Sequence, residues 1–125
     1  MTILLIEPKK APRAVEIDGS LKAMQGIVGG MIEAVYPFAE EIALVCNEEA
    51  KLLGLPLNRA LRNEETGAVY EIIAGTFFLC GAPSDSDSFV SLTEEQLRAY
   101  AARFRFPEIF LRLNGQIIAV PMKEV

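Results

Sequence analysis

Short apolar runs separated by polar turns divide the chain into strand-like segments. The runs Ile3–Ile6 and Ile42–Cys46 are apolar at every position, and each predicts a buried strand. The dipeptide Asn114-Gly115 lies between two further apolar runs and predicts a hairpin with a type I′ turn. The other predicted strands cover residues 14–17, 31–38, 51–55, 69–73, 76–80, 109–113 and 116–120.

Two segments have the 3.6-residue apolar period of amphipathic helices. In the first, Ser20 is the predicted N-cap, and Gly29 with the glycine after it ends the helix. In the second, a capping-box pattern from Ser91 to Glu94 opens a helix that runs to about Phe104. Each apolar face predicts packing against a sheet.

The order of these segments indicates the fold class. The helices do not alternate strictly with the strands, so a parallel doubly wound sheet is disfavoured. We expect a single α+β domain over residues 1–125, with a mixed or mostly antiparallel sheet of short strands and two helices packed on it. A length of 125 residues fits one domain, and 51% hydrophobic residues are sufficient for one core.

Net charge and hydropathy indicate which kinds of partner the protein can bind. The net charge of −5 argues against direct nucleic-acid binding, which needs a basic face for the phosphates. No apolar run reaches the roughly 18 residues that a membrane-spanning helix needs. The basic pair Lys9-Lys10 follows the first apolar run, the reverse of a secretory signal. We therefore expect a cytoplasmic protein that binds neither nucleic acid nor membrane.

The residue types also bear on catalysis and metal binding. The chain has no histidine, which removes the commonest general base and the commonest transition-metal ligand. Cys46 and Cys80 lie in apolar runs and are predicted to be buried, reduced thiols. Two separated cysteines are too few for a structural zinc site. We expect no cofactor, no metal and no catalytic residue.

The polar groups between the strands from Asn47 onward form the candidate site. Residues 47–50 predict a hairpin turn, and Pro56 suits the first turn of a short helix over residues 57–61. That helix would pack by its leucines and present its amide and guanidinium groups outward, where they suit carboxylates or phosphates. The predicted ligand- or partner-binding residues are Asn47, Glu49, Lys51, Asn58, Arg59 and Arg62.

Two other interpretations of these residues stay open. The arginines can instead form structural ion pairs that hold the loop, and the acidic partners within reach in the sequence are Glu48, Glu49, Glu64 and Glu65. A carboxylate-based enzyme would need two acids, or an acid with Lys51, to converge in a pocket. Glu48 and Glu49 alone do not meet this need, because adjacent strand residues point to opposite sides.

Three segments together resemble a known family: IDGSLKAMQGIVGGMIEAVYPF, ALVCNEEAKLLGLPLNRALRN and YEIIAGTFFLCG. The most specific elements are GLPLNRAL (Gly54–Leu61) and IIAGTFF (Ile72–Phe78). The chain is similar here to the bacterial and phage family known as domain of unknown function thirty-eight forty-six. The resemblance implies a small protein associated with mobile elements, with no established activity. The shared polar positions are Asn47, Glu48, Lys51, Asn58, Arg59 and Thr76.

These observations lead to two functional hypotheses. The first is a non-enzymatic accessory protein of a phage or mobile element that binds a host protein or factor, in a role such as counter-defence. The alternative is a module that binds a small nucleotide-like or anionic metabolite against Asn58, Arg59 and Arg62. The oligomeric state stays open, with a homodimer through an edge strand or the C-terminal hairpin as one option.

Overall fold

The computed structural model describes residues 1–123. Residues 124 and 125, which the expected single domain includes, lie outside the described residues. The elements in chain order are β1 (Thr2–Ile6), β2 (Arg13–Glu16), α1 (Leu21–Val28), β3 (Ile32–Val35), β4 (Ile42–Asn47), β5 (Leu57–Arg62), β6 (Val69–Ala74), β7 (Phe77–Gly81), α2 (Glu94–Arg103), β8 (Glu108–Leu113) and β9 (Gln116–Pro121).

The strands form one central sheet and two hairpins. The central sheet has five strands in the order β2-β1-β7-β4-β3, and every neighbouring pair is antiparallel. Strands β5 and β6 form a separate antiparallel hairpin, as do β8 and β9. The predicted α+β class with a mostly antiparallel sheet and two helices is confirmed.

Both faces of the central sheet are covered, which explains the uninterrupted apolar runs. Side chains alternate across a strand, so Ile3 and Leu5 of β1 point to the face on which α1 lies. Leu4 and Ile6 point to the other face, where α2 and the β5–β6 hairpin pack. The molecule therefore has three layers, with β1, β7 and β4 in the middle.

The helix boundaries follow from their caps. The Ser20 hydroxyl accepts a hydrogen bond from the Ala23 N–H at 3.0 Å, as predicted for the N-cap of α1. The prediction that Ser91 caps α2 is wrong. Thr93 is the N-cap and forms the capping box with Gln96, whereas the Ser91 hydroxyl accepts from the backbone N–H of Thr2 at 2.8 Å.

Two predictions in the middle of the chain are also wrong. Residues 57–61 were expected to be helical but belong to strand β5, which pairs with β6 through registers such as Ala60 opposite Ile72. The expected return strand over residues 51–55 is a series of turns, closed by a 2.9 Å bond from the Leu53 N–H to the Glu49 carbonyl. Long-range pairing overrides the local helical period of the two leucines.

The C-terminal hairpin matches its prediction. Asn114 and Gly115 have φ angles of 51° and 78°, the positive values that both central residues of a type I′ turn require.

Among residues 1–123, no helix is both long and apolar enough to cross a membrane.

Candidate functional site

The structure divides the six predicted site residues between two surface clefts and the interior. The arginine cleft has a volume of about 280 Å³, and its charged lining residues are Arg59, Arg62, Glu64, Arg103 and Glu108. The acidic cleft has a volume of about 160 Å³, and its polar lining residues are Glu33, Asn47, Glu48, Glu49, Lys51 and Glu71. Asn58 is buried beneath the surface. The predicted residues therefore do not form one site.

Asn58 is a structural cross-link between three segments. It is 1% exposed, and its amide nitrogen donates to the carbonyls of Ile6 and Gly75 at 2.9 and 2.8 Å. Its amide oxygen accepts from the Arg59 guanidinium at 2.8 Å. The expectation that Asn58 points outward is wrong, because β5 inserts it between the end of β1 and the turn that precedes β7.

Arg59 is also 1% exposed and reaches the ends of two other segments. Its Nε donates to the Phe104 carbonyl at 3.1 Å, and a terminal nitrogen donates to the Lys10 carbonyl at 2.6 Å. Phe104 is the C-cap of α2, so the cation lies at the negative end of that helix. The expected outward orientation of Arg59 is wrong as well.

The charge of Arg59 has an unusual environment. None of the direct ion pairs among residues 1–123 includes Arg59, so no carboxylate contacts its guanidinium there. Burial lowers the pKa of Arg59, and the negative charge of Glu108 opposes that shift. An arginine stays protonated at any physiological pH, so a buried positive charge lines the cleft wall.

Arg62 pairs with a partner that the sequence did not suggest. Its guanidinium bonds to the Glu108 carboxylate, and the other oxygen of that carboxylate accepts the Ala60 N–H at 2.6 Å. Glu108 is 7% exposed. The expected ion-pair partners of Arg62, which lie close to it in sequence, are wrong, because its partner Glu108 lies in β8. The position of Glu108 at the start of an apolar strand is the one sequence signal that its carboxylate is buried.

Arg103 is the other residue that sequence reasoning missed. It lies at the end of α2, bonds to Glu64 at 2.6 Å, and stacks over the ring of Phe38 at 4.9 Å. The side chain of Glu64 is 73% exposed, so this ion pair is open to water and to exchange with another anion. Glu108, in contrast, is held within the protein.

In the acidic cleft, Asn47 has a structural role. It is 5% exposed, donates to the Val28 carbonyl at the end of α1 at 3.2 Å, and accepts the Glu49 N–H at 2.8 Å. A Cβ at Gly30 would lie 2.9 Å from the Asn47 amide, so this close approach requires glycine. The predicted turn after β4 therefore also anchors the first helix.

Lys51 is an exposed residue of the acidic cleft, as are Glu48 and Glu49. Its ammonium bonds to the Glu71 carboxylate at 2.6 Å, and that hydrogen bond holds the pKa of Glu71 below its usual value. Burial raises the pKa of the Cys46 thiol to about 11. Both shifts move the pKa values of these groups away from neutral pH, where a general acid or base works best.

In the described part of the chain, no three His, Cys, Asp or Glu residues are arranged to hold a metal.

The fold and the two clefts define a small antiparallel α+β protein in which, among the described residues, every buried polar side-chain atom has a hydrogen-bond partner. Residues 1–105 match the model of the family described as domain of unknown function (DUF3846), and the chain belongs to this family. The match confirms the resemblance noted from the sequence. The matched range contains the acidic cleft and the three arginines of the arginine cleft, whereas Glu108 and the β8–β9 hairpin lie beyond it. No curated protein and no solved structure matches the chain.

Proposed function

We propose that this protein is a non-catalytic binding protein whose arginine cleft holds the carboxylate or phosphate of a small metabolite. The observation that carries the proposal is the buried charge of Arg59 at the cleft wall, with no carboxylate in contact among the described residues. A buried charge is costly unless it is paired, so an anion in the cleft would be stabilised there.

The rest of the cleft suits such a ligand. Arg62 and Arg103 add two guanidinium groups, which bind carboxylate and phosphate oxygens in pairs. Phe106 supplies an apolar wall. The volume of about 280 Å³ is close to the lower end of small-molecule sites, which begin at roughly 300 Å³. The ligand is therefore a compact anion, with a mononucleotide near the upper size limit.

Binding would proceed by exchange of one anion for another. The Glu64 carboxylate pairs with Arg103 on the solvent side of the cleft, and the Glu64 side chain is 73% exposed. An incoming phosphate or carboxylate takes its place without moving the sheet or either helix. Glu108 stays bonded to Arg62 and to the β5 backbone, so it keeps the cleft shape fixed.

Isothermal titration with inorganic phosphate, a nucleoside monophosphate and a tricarboxylate such as citrate tests the proposal. A saturating ligand at 100 times its Kd adds about 2.7 kcal/mol of stability, which a thermal shift also detects. Arg103→Gln should weaken binding about tenfold or more, since a charged hydrogen bond is lost. The matched control is Arg98→Gln, an exposed arginine on the same helix outside the cleft. The absence of heat with all three probes, or equal affinity in both variants, would refute this function.

The second candidate function is binding to a protein partner. In this role the chain is an accessory protein of a bacterial phage or mobile element and binds a host protein in the cytoplasm. The observation that favours it is the turn after β4, where Leu52 and Leu53 are 86% and 60% exposed. Backbone bonds hold this turn in one shape, and Glu48 and Glu49 lie beside the leucines. A partner with an apolar pocket and a basic rim fits that chemistry. The buried free thiols Cys46 and Cys80 accord with a reducing compartment.

Binding of a purified host partner tests this second candidate. The double variant Leu52→Ser, Leu53→Ser should abolish the complex in a pull-down and in a titration with the purified partner, since both anchors are lost. The exposed Leu21→Ser change on α1 provides the control. A complex that survives the double variant would exclude the turn as the binding surface.

A further inference from the structure

The C-terminal hairpin presents an apolar face that nothing covers in the described part of the chain. In the β8–β9 register, Ile109 lies opposite Val120 and Leu111 lies opposite Ile118, so these four side chains share one face with Leu113. All five aliphatic residues are 40–53% exposed. We call this surface the aliphatic face.

The opposite face of the hairpin is attached to the rest of the protein at its open end, whereas Arg112 and Ile117 near the turn are exposed. Glu108 is buried there and bonds to the Ala60 N–H and to Arg62, and the same arginine reaches the Ala119 carbonyl at 3.4 Å. Phe110, which lies opposite Ala119, is half-buried. One face thus fixes the hairpin in place, and the aliphatic face points away from the body.

An uncovered face of this kind is unfavourable for a monomer. A two-stranded hairpin is marginally stable by itself in water, and exposed apolar strands invite association. Five aliphatic residues at this exposure leave roughly 400 Å² of apolar surface, within the range of patches that mark interaction sites. Burial of that surface stabilises the hairpin as well as the complex.

We propose that the aliphatic face packs against the same face of a second copy of this chain, forming a two-fold symmetric dimer. The face holds five aliphatic residues and Gln116, and the charged Arg112 lies on the opposite side. Two copies with a net charge of −5 each can therefore meet here without opposing like charges. The face also lacks the Tyr, Trp and Arg anchors that are typical of interfaces between different proteins.

The area available is sufficient for a specific dimer. Homodimer interfaces are about 65% apolar, so roughly 400 Å² of apolar surface corresponds to about 600 Å² per subunit. The total of about 1,200 Å² lies at the lower limit of specific interfaces. The dimer is therefore expected to dissociate on dilution. It does not depend on the arginine cleft, so either proposal can fail without the other.

Sedimentation equilibrium from low-micromolar to sub-millimolar concentration tests the dimer. The wild-type mass should rise from 13.7 kDa to twice that value. Leu111→Lys and, separately, Ile118→Lys should raise the dissociation constant on the order of 100-fold, because each would bury an unpaired charge. The control is Leu21→Lys, a 54% exposed leucine on α1 outside the hairpin, which should dimerise normally.

Several results would overturn the proposal. These are a wild-type protein that stays monomeric throughout the range, an assembly that grows beyond two copies, and dimerisation that survives both lysine variants or is lost equally in the control. Circular dichroism checks that each variant folds. If neither lysine variant folds, hydrogen exchange of the wild type decides. Amide protection at residues 109–120 should increase with concentration, and protection that does not change contradicts the dimer.

Discussion

Strands β4 and β8 are both rich in aliphatic residues, yet they have opposite surroundings. All six residues of β4, Ile42–Asn47, are buried. In β8, only Glu108 is buried, whereas Ile109, Leu111 and Leu113 are 46–53% exposed. The carboxylate lies inside and the aliphatic residues lie outside, the reverse of the usual distribution.

The difference depends on what covers each strand. Helix α1 covers one face of the central sheet with Met24 and Val28, and α2 covers the other with Tyr100 and Phe104. The described residues provide no second layer above the aliphatic face of β8. An apolar run therefore identifies a surface that must be covered, and the covering element can be another part of the chain or another molecule.

The largest expected effect comes from Phe77→Ala in β7. Phe77 is fully buried and meets Phe104 edge to face, with ring centroids 6.0 Å apart. Its loss should lower the free energy of unfolding by about 3–5 kcal/mol, because the cavity cannot close in a layer packed on both sides. Urea denaturation at low protein concentration measures this change.

The matched change in the hairpin is Leu111→Ala. Leu111 is 47% exposed in the monomer, so the change removes little buried apolar surface. The free energy of unfolding at low protein concentration should fall by about 0.5–1 kcal/mol. Equal losses in Phe77→Ala and Leu111→Ala under monomeric conditions would contradict the contrast between the two strands.

The second prediction concerns Arg59→Ala in the buried network. The change leaves the Phe104 and Lys10 carbonyls and the Asn58 amide oxygen without their donor, at an expected cost of about 3 kcal/mol. Thermal and urea unfolding measure it. Arg98→Ala, an exposed arginine on α2, is the control and should change stability by less than about 0.5 kcal/mol. A similar small loss for Arg59 would show that its network is dispensable.

The sequence predicts most of the fold because its signals are local. Continuous apolar runs indicate the central strands, and Asn114-Gly115 indicates the hairpin turn. Strand β5 was missed because Leu57 and Leu61 fit a helical period as well as a strand with a bulge, and only pairing with β6 distinguishes the two. The Thr93 cap was missed for a related reason, since Ser91 to Glu94 and Thr93 to Gln96 both satisfy the capping-box rule.

The candidate site was less predictable because its contacts are distant in sequence. Asn58 bonds to Ile6, 52 residues away, and Arg59 bonds to Lys10 and Phe104, 49 and 45 residues away. Polar side chains in a polar segment suggest a surface, and no local pattern shows that backbone carbonyls from three other segments surround them. The ligand-binding role of the six predicted residues stays a prediction; Glu49 and Lys51 are exposed, and Arg62 is half-buried.

The third prediction uses the pH dependence of the buried core. Burial raises the pKa of Cys46 to about 11 and of Cys80 to about 12, against an ordinary value of 9.0. The unfolded chain thus releases these protons first as the pH rises. Their contribution is fully present below pH 9 and should be lost above it, by up to about 1.4 kcal/mol per pH unit for each cysteine.

Urea denaturation from neutral pH to about pH 10.5 measures this loss. The double variant Cys46→Ala, Cys80→Ala should give a flatter profile above pH 9, although Tyr100, whose pKa is raised to about 12, still contributes near the upper end. The central sheet should therefore respond to alkaline pH through its thiols, whereas the hairpin has none. A slope that is identical in the variant would assign the alkaline loss to other groups.

The smallest expected effect separates the two ion pairs of the predicted site. The Lys51–Glu71 pair is 59% and 48% exposed, so Lys51→Ala should cost about 0–1 kcal/mol, and added salt should reduce even that. Arg62→Ala should cost more, because it leaves the buried Glu108 carboxylate without its cation. Urea denaturation at low and high salt measures both. Equal, salt-sensitive losses would mean that Glu108 is solvated in solution and that the hairpin is not held to the body as the structure shows.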